Sequence, residues 1–476
     1  MTWLTSQEIA DITGGRWLEA PPAQFVGVGT DTREDLSDRL FVALKGERFD
    51  AHDFLQAAQG RGATAALVER EVPGHGLPRL LVKNALAALQ AMAAAWRARM
   101  PNAWCIAITG SAGKTTTRRL IEGACAAIGP THASPKSFNN HLGVPLTLLA
   151  APADTRFLVI EIGMNHPGEI EPLSRMAAPR VAMVMNAGTA HLGGLGSREA
   201  IAREKCTIAR GLQPAGLFVV HGDQPHLLHE AFRESLPPGG RIHCFGTKGL
   251  CAFRLRGRIQ RGDGSQEVLV DTPRGETAFT IRLPGEHNAM NAVGVVAALS
   301  SLGLPLGKVL EGMAKVEPSD MRLVRADIGG MAVFNDAYNA NPDSVLAAVR
   351  TFAELAPAGG RRVVALGDML ELGDEGPALH AMVGRELAAA FAGGPPDLCI
   401  ACGQLCAHLA DALQAAAPGA RIERSADLAA DASRLAGLLK PGDALLVKGS
   451  RGSGMERLVA AISPGPEAKK SAPAGR

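Results

Sequence analysis

The segment Cys105-Ile-Ala-Ile-Thr-Gly-Ser-Ala-Gly-Lys-Thr-Thr-Thr117 constrains this chain more than any other. A short apolar run empties into a glycine-rich turn carrying a lysine and hydroxyls, and a helix-forming stretch follows. Such a turn suits phosphate. The backbone N–H groups of Gly110, Ser111, Ala112 and Gly113 can point inward, and the next helix presents its positive end. Lys114 supplies a point charge, and the hydroxyl of Thr115, with Thr116 behind it, can ligate magnesium. Ile108 stands five residues before Gly113, so the spacing is Gly-x-x-Gly-Lys-Thr rather than that of the standard P-loop. A strand before, a helix after and three consecutive threonines favour a nucleotide phosphate site over an ordinary strand-to-helix turn.

A chain of 476 residues is long enough for about three domains of typical size, each with a core of its own. Hydrophobic content of 46%, charged content of 20% and a net charge of +2 describe an ordinary soluble protein, without the basic excess of a nucleic-acid binder. With Tyr338 its single tyrosine, the chain also lacks a stacking platform for single strands. The eight cysteines are scattered over apolar stretches and are expected to be reduced. Cys399-Ile-Ala-Cys402 has redox spacing but lies within an apolar strand. The N-terminus has no basic start, and nowhere do about 18 apolar residues run together. A cytoplasmic protein without membrane insertion is expected.

Strand-like and helical stretches alternate throughout. Residues 1–85 read as a small α/β unit with strands near Leu40–Leu44, Ala65–Val68 and Leu80–Val82. Residues 86–316 read as a parallel sheet covered on both faces, with strands Phe157–Ile162, Val181–Asn186 and Leu217–His221. Between Arg241 and Leu283 lie shorter β-type segments, with Gly-Asp-Gly at 262–264 as a hairpin turn. Residues 317–463 hold four more strands, Ala332–Asp336, Arg362–Gly367, Leu398–Gly403 and Ala444–Gly449, as a second doubly wound unit. The tail 464–476 has nothing to bury and is expected to be disordered.

Ligands of such sheets collect at the carboxyl ends of strands. Glu161 ends one apolar run, where it is either a magnesium ligand or a surface acid. His191 lies in the glycine-rich loop after Asn186, as a loop hydrogen-bonder or a metal ligand. Lys205 lies on the following helix. An ammonium near magnesium is repelled, so this side chain is either a solvated helix lysine or a carbamate formed with carbon dioxide, which reverses its charge. Asn288 and Asn291 lie on one helix face, suited to reading a base edge or, for Asn288, to capping. Three polar loops, 334–344, 366–373 and 447–452, follow strands of the last unit. Asn341-Pro-Asp-Ser344 is also a good helix start.

Together these segments resemble the ATP-dependent Mur ligases of bacterial cell-wall synthesis, most closely the branch that adds D-alanyl-D-alanine to UDP-N-acetylmuramoyl-tripeptide. Thr109–Thr115 is similar to the family's ATP loop, and Phe138-Asn139-Asn140-His-Leu-Gly-Val-Pro-Leu-Thr147 to its substrate and nucleotide loop. Thr30-Asp31-Thr32-Arg33 with the segment Leu40–His52, which contains Lys45 and Phe49, resembles the UDP-sugar domain of that branch. Ser37-Asp38-Arg39 and Cys206-Thr207 depart from the usual Pro-Gly and Gly-Glu. The Asp-Asn-Pro-Arg motif of the diaminopimelate-adding branch is absent.

The resemblance implies three α/β domains: a small N-terminal one, a central P-loop ATPase-like one and a Rossmann-like C-terminal one. It implies ATP held by residues 110–116, Asn288, Asn291, Arg322 and Asp336. It further implies two magnesium ions bound through Thr115, Glu161, His191 and a carbamylated Lys205, with Lys114, Glu161, His191 and Lys205 catalytic. The substrates fall to Thr30, Asp31, Thr32, Arg33, Lys45, Phe49, Asn139, Asn140, Asn165, Asn339, Asn341, Asp343, Lys448 and Arg451. A monomer is expected. A folylpolyglutamate synthase-like ligase, which would not need the Asp31–His52 segment, and a nucleotide-gated scaffold without catalysis are the alternatives.

Overall fold

A computed structural model describes residues 3–463 except 47, 48, 73–75, 190, 191, 320 and 393. His191 and the tail 464–476 therefore lie outside the described residues. Three sheets succeed one another along the chain. The first has five strands in the order Arg16–Trp17, Arg79–Leu81, Ala65–Val68, Arg39–Val42, Gly27–Gly29, parallel except at the Arg16–Trp17 edge. Arg16–Trp17 and Gly27–Gly29 escape a sequence reading because they are two and three residues long, with no apolar run.

The second sheet has nine strands. Its parallel centre places Trp104–Thr109 between Phe157–Glu161 and Val181–Val184, with Leu217–His221 beyond the latter. These strands read as unbroken apolar runs because helices cover both faces. Ile106 and Ile108 enter one core, whereas Cys105 and Ala107 enter the other. Phe253–Gln260, Gln266–Thr272 and Gly275–Ile281 extend the sheet as an antiparallel meander. The turn expected at 262–264 joins the first two, with Gly264 at φ +88° and the Asp263 carboxylate accepting from the Ser265 N–H at 2.9 Å.

The third sheet has six strands, two more than the apolar runs suggest. Val324–Ile328 and Ile422–Ser425 are its edges, the first largely exposed and the second short and polar, and neither carries an apolar run. Within Leu398–Cys402 the two cysteines, three positions apart, point to opposite faces: Cys399 joins one core cluster and Cys402 the other. That geometry removes the redox reading of the pair.

The first two units do not have separate cores on every side. One buried cluster runs from Leu4 and Ile9 through Leu89, Met92 and Trp96 to Leu148, Leu158 and Leu173. The helix Ala85–Ala98 is the wedge between them. Its Trp96 indole donates to the Ala151 carbonyl at 3.1 Å. The buried Arg97 guanidinium donates to the carbonyls of Ala177 and Ala178 at 2.8 and 3.1 Å, satisfying the end of helix Ile170–Ala177.

The helix that starts at the phosphate turn, Lys114–Ala126, is fixed by a crossing with Leu306–Ala314 at which two glycines meet. A Cβ on Gly312 would lie 2.2 Å from the Gly123 carbonyl oxygen, and one on Gly123 would lie 2.9 Å from that of Gly312. Neither backbone can yield without moving a helix. Gly312→Ala should cost about 1–3 kcal/mol of stability, read from the urea midpoint of the central unit. An unchanged midpoint would show that the crossing is looser than described.

Candidate active site

The phosphate turn is built by the backbone and held by two asparagines. Gly113 precedes the helix at φ +81°, and a Cβ there would meet the Asn291 side-chain oxygen at 2.8 Å. No side chain caps the helix, so its first N–H groups are left for a ligand. Asn186 clamps the turn from the next strand. Its side chain accepts from the Ala112 N–H at 2.8 Å and donates to the Ala112 carbonyl at 3.0 Å, while its own carbonyl accepts from the Ser111 N–H at 3.1 Å. Sequence reasoning missed Asn186 as a site residue, although a polar side chain directly after an apolar strand was the available signal. Lys114 donates to the Gly110 carbonyl at 2.7 Å, and desolvation pushes its ammonium below its ordinary value.

Glu161 is no surface acid: it is 1% exposed. One carboxylate oxygen accepts from the Thr115 hydroxyl at 2.9 Å and the other from the Asn139 amide at 2.8 Å, and the Arg118 Nε stands 4.0 Å away. A hydroxyl and a carboxylate side by side form a hard oxygen donor set that fits magnesium. Lys205, on helix Arg198–Cys206, is likewise 1% exposed, which overturns the solvated-lysine alternative. Among the described residues no carboxylate lies within ion-pair distance of it. Burial above all, then the nearby Lys114, pushes its ammonium well below the ordinary range.

A cleft of about 1370 Å³ runs from this turn to the third domain. It is lined by residues 111–116, Asn139, Asn140, Glu161, Asn165, Asn288, Asn291, Arg322, Asp336, Asn339, Asn341, Asp343, Lys448 and Arg451. Thr30, Asp31, Thr32, Arg33, Lys45 and Phe49 lie elsewhere, on the first domain. There Asp31 accepts from the Arg33 backbone and guanidinium, which hold its carboxyl down at about 2. Phe49 is 71% exposed.

Several of these side chains hold the protein together. Asn140 accepts from the N–H groups of Leu142 and Gly143, where helix Gly143–Leu149 begins. Asn341 and Ser344 form a reciprocal capping box on Pro342–Leu355. Asn288 donates to the Pro284 carbonyl at 2.7 Å and accepts from Asn291 at 3.3 Å, so it does not cap its helix, whose cap is Gly285. Asp336 accepts from the Leu323 N–H at 3.0 Å and the Lys448 ammonium at 2.7 Å, and Lys448 also donates to the Asn339 carbonyl. His287, on the cleft wall beside this pair, is pushed down to about 4, chiefly by desolvation. It is therefore neutral at physiological pH.

The third domain reaches the phosphate turn directly. Arg322 donates to the Thr115 hydroxyl at 3.1 Å, and its guanidinium lies 4.2 Å over the Tyr338 ring. Tyr338 in turn bonds Ser137 of the central unit. Arg451, on the rim of the cleft, is 61% exposed, with Glu456 at 4.0 Å. A second cluster, Asp368, His380 and Cys406, is a loop clip: the His380 nitrogens meet the Gly376 carbonyl at 2.7 Å and the Met369 N–H at 3.0 Å, leaving no lone pair for an ion.

Lys205 is a buried lysine with no carboxylate partner among the described residues. A base whose folded pKa is lowered costs nothing above its unfolded pKa and destabilises increasingly as pH falls below it, so at neutral pH Lys205 is destabilising. In bicarbonate-free buffer without nucleotide, Lys205→Met should raise stability by about 1–4 kcal/mol. A drop in the thermal midpoint would contradict the described environment.

Residues 108–299 match the Mur ligase middle domain, and residues 321–451 match the Mur ligase, glutamate ligase domain. A UDP-N-acetylmuramoyl-tripeptide--D-alanyl-D-alanine ligase of Bacillus subtilis (strain 168) is 34% identical over 463 residues, 96% of this chain and 97% of the relative. Among solved structures, MurF from Acinetobacter baumannii superposes with a TM-score of 0.86 at 31% identity, over 97% of this chain and 99% of that one. MurF ligase from Thermotoga maritima in complex with ADP gives a TM-score of 0.78 at 25% identity, over 94% and 98%. No helix among the described residues is long and apolar enough to cross a membrane.

Proposed function

The chain belongs to the Mur ligase family, and from that premise we propose that it joins D-alanyl-D-alanine to UDP-N-acetylmuramoyl-tripeptide at the expense of ATP, in the making of peptidoglycan precursors. The observation that carries the reading is a phosphate site assembled from two domains. The buried Glu161–Thr115 pair closes the turn from one side, and Arg322 of the last domain touches the same hydroxyl from the other. Relatives of that activity match this chain from end to end, including the N-terminal segment that a folylpolyglutamate synthase-like ligase would not need. We assign residues 1–85 to the sugar nucleotide, 86–316 to ATP and 317–463 to ligation, in a cytoplasmic monomer.

A carboxylate cannot expel oxide, so coupling it to an amine requires activation. The tripeptide's terminal carboxylate oxygen attacks the γ-phosphorus, the bond to ADP breaks, and an acyl phosphate results. The amine of D-alanyl-D-alanine then adds to the carbonyl carbon, and the tetrahedral adduct expels inorganic phosphate with loss of the amine's proton. Catalysis is chiefly positioning and electrostatics. Lys114 and the N–H groups of 110–116 hold the phosphates, and Arg322 neutralises charge from across the cleft. Asn288 and Asn291 face the base, and Asn139 holds Glu161 in place. Magnesium, when bound through Thr115 and Glu161, supplies charge neutralisation at the phosphates; His191 belongs to the same proposed set. Closure of the third domain excludes water from the reactive acyl group.

The buried lysine has a place in this scheme. Burial disfavours the ammonium and so favours the neutral amine that reacts with carbon dioxide, and a carbamate on Lys205 would place an anion facing Lys114. Because the carbamate forms from the neutral amine and reverts on protonation, activity should fall as pH is lowered and recover with added bicarbonate. Lys205→Ala should be inactive and partly rescued by short carboxylic acids. Full activity of that variant without rescue would exclude the carbamate.

Phosphate release measured with UDP-N-acetylmuramoyl-tripeptide, ATP and D-alanyl-D-alanine tests the whole reading. The rate should depend on all three, and Lys114→Ala should lower it at least about a hundredfold. Release that ignores the dipeptide would favour the synthase-like alternative, and none at all would favour a scaffold.

A further inference from the structure

One contact between the third domain and the phosphate turn has no role in the scheme above. Asp343 is the second residue of helix Pro342–Leu355, yet its carboxylate does not cap that helix, because Asn341 and Ser344 already do so. Instead Oδ2 accepts from the backbone N–H and the hydroxyl of Thr189, 154 residues away, at 3.0 and 3.1 Å. Thr189 is 1% exposed and lies in the loop leading to His191. The adjoining Gly188 donates its N–H to the Ser111 hydroxyl of the phosphate turn at 3.0 Å. A Cβ on Gly188 would stand 2.2 Å from Asp343 Oδ2, so only glycine lets the carboxylate in. Two neighbouring residues thus connect the third domain to the nucleotide loop by hydrogen bonds, two of them charge-assisted.

A second contact lies a few residues on, in the short helix Leu192–Leu195. Gly193 lies against Gly373 of the third domain so closely that a Cβ on either would meet the other's backbone at 2.7 Å. The third domain therefore touches the central one at two places here, through a carboxylate on Thr189 and through backbone at Gly193.

We propose that Asp343 is a positioning residue, a latch that fixes the third domain in its ligation-competent placement by gripping the 188–189 backbone, and that it does not hold the dipeptide. The proposal deepens the ligase reading and rests on it for its kinetic arm. Both walls of the cleft come from different domains, so nucleotide exchange separates them and breaks the latch; closure over bound nucleotide remakes it. Because the grip acts on the loop tied to Ser111, it reports the state of the phosphate turn to the domain that receives the amine.

The test pairs steady-state kinetics with small-angle scattering of the full chain in a nonhydrolysable ATP analogue. Asp343→Ala should lower kcat about tenfold to a hundredfold with little change in KM for D-alanyl-D-alanine, and should leave the analogue-bound particle more extended than wild type. Asp343→Asn keeps an acceptor oxygen and should recover most of both. Thr189→Val should act in the same direction, and the double variant with Asp343→Ala should be no worse than the more damaged single one. A rise in KM for the dipeptide at unchanged kcat would make Asp343 a dipeptide ligand and overturn the latch. Wild-type compaction in Asp343→Ala, or additive effects in the double variant, would also overturn it. The scattering arm needs no turnover, so a latch that fails is distinguishable from a wrong substrate.

Discussion

Glu161 is a carboxylate withdrawn from water beside a turn made to receive phosphates, and the rest of the site is arranged around that placement. A buried acid must be satisfied by donors or counter-charges. Here Thr115 and Asn139 supply the donors, while Arg118 stands close enough to contribute charge. Each of the two donors comes from a segment with a second duty. Thr115 opens the helix whose N–H groups face the ligand, and Asn139 begins the loop that runs into helix Gly143–Leu149. Moving the acid would disturb both.

The architecture explains why three sheets are needed. The central sheet delivers the phosphate turn, Glu161 and Asn186 at the carboxyl ends of adjacent parallel strands, where such folds expose their loops. The first domain is wedded to it through the shared core around Met92 and Trp96, so the two form one body. The third domain is joined differently, by polar contacts: Arg322 on Thr115, Tyr338 on Ser137, Asp343 on Thr189, and the bidentate Arg258–Glu354 pair at 2.5 and 2.9 Å. Polar interfaces of this kind can be remade in water at little cost, whereas an apolar one would hold the domains shut.

Much of this was legible in the residues. The phosphate turn, Glu161 and the parallel strands were, because fully buried strands are unbroken apolar runs and glycine-lysine-threonine turns have few other uses. The edge strands Val324–Ile328 and Ile422–Ser425 were not, since an edge needs no apolar sequence. Whether Lys205 is solvated or buried was not legible, because a short polar helix gives no sign of which face the fold will bury. Asn341 and Ser344, which read equally as a helix start, form a capping box, and Asn140 accepts from two backbone N–H groups where a helix begins. A side chain that can bind a ligand can equally bind the backbone, and only the tertiary arrangement chooses between them.

The central claim is that a triphosphate is gripped at the end of the middle sheet, with its terminal group aimed at the cleft between the second and third domains. The most direct measurement is a crystal structure with a nonhydrolysable ATP analogue and magnesium. Phosphate density is expected against the backbone of 110–116, with the metal between Thr115 and Glu161. Density for the triphosphate at any other place on the molecule would contradict it.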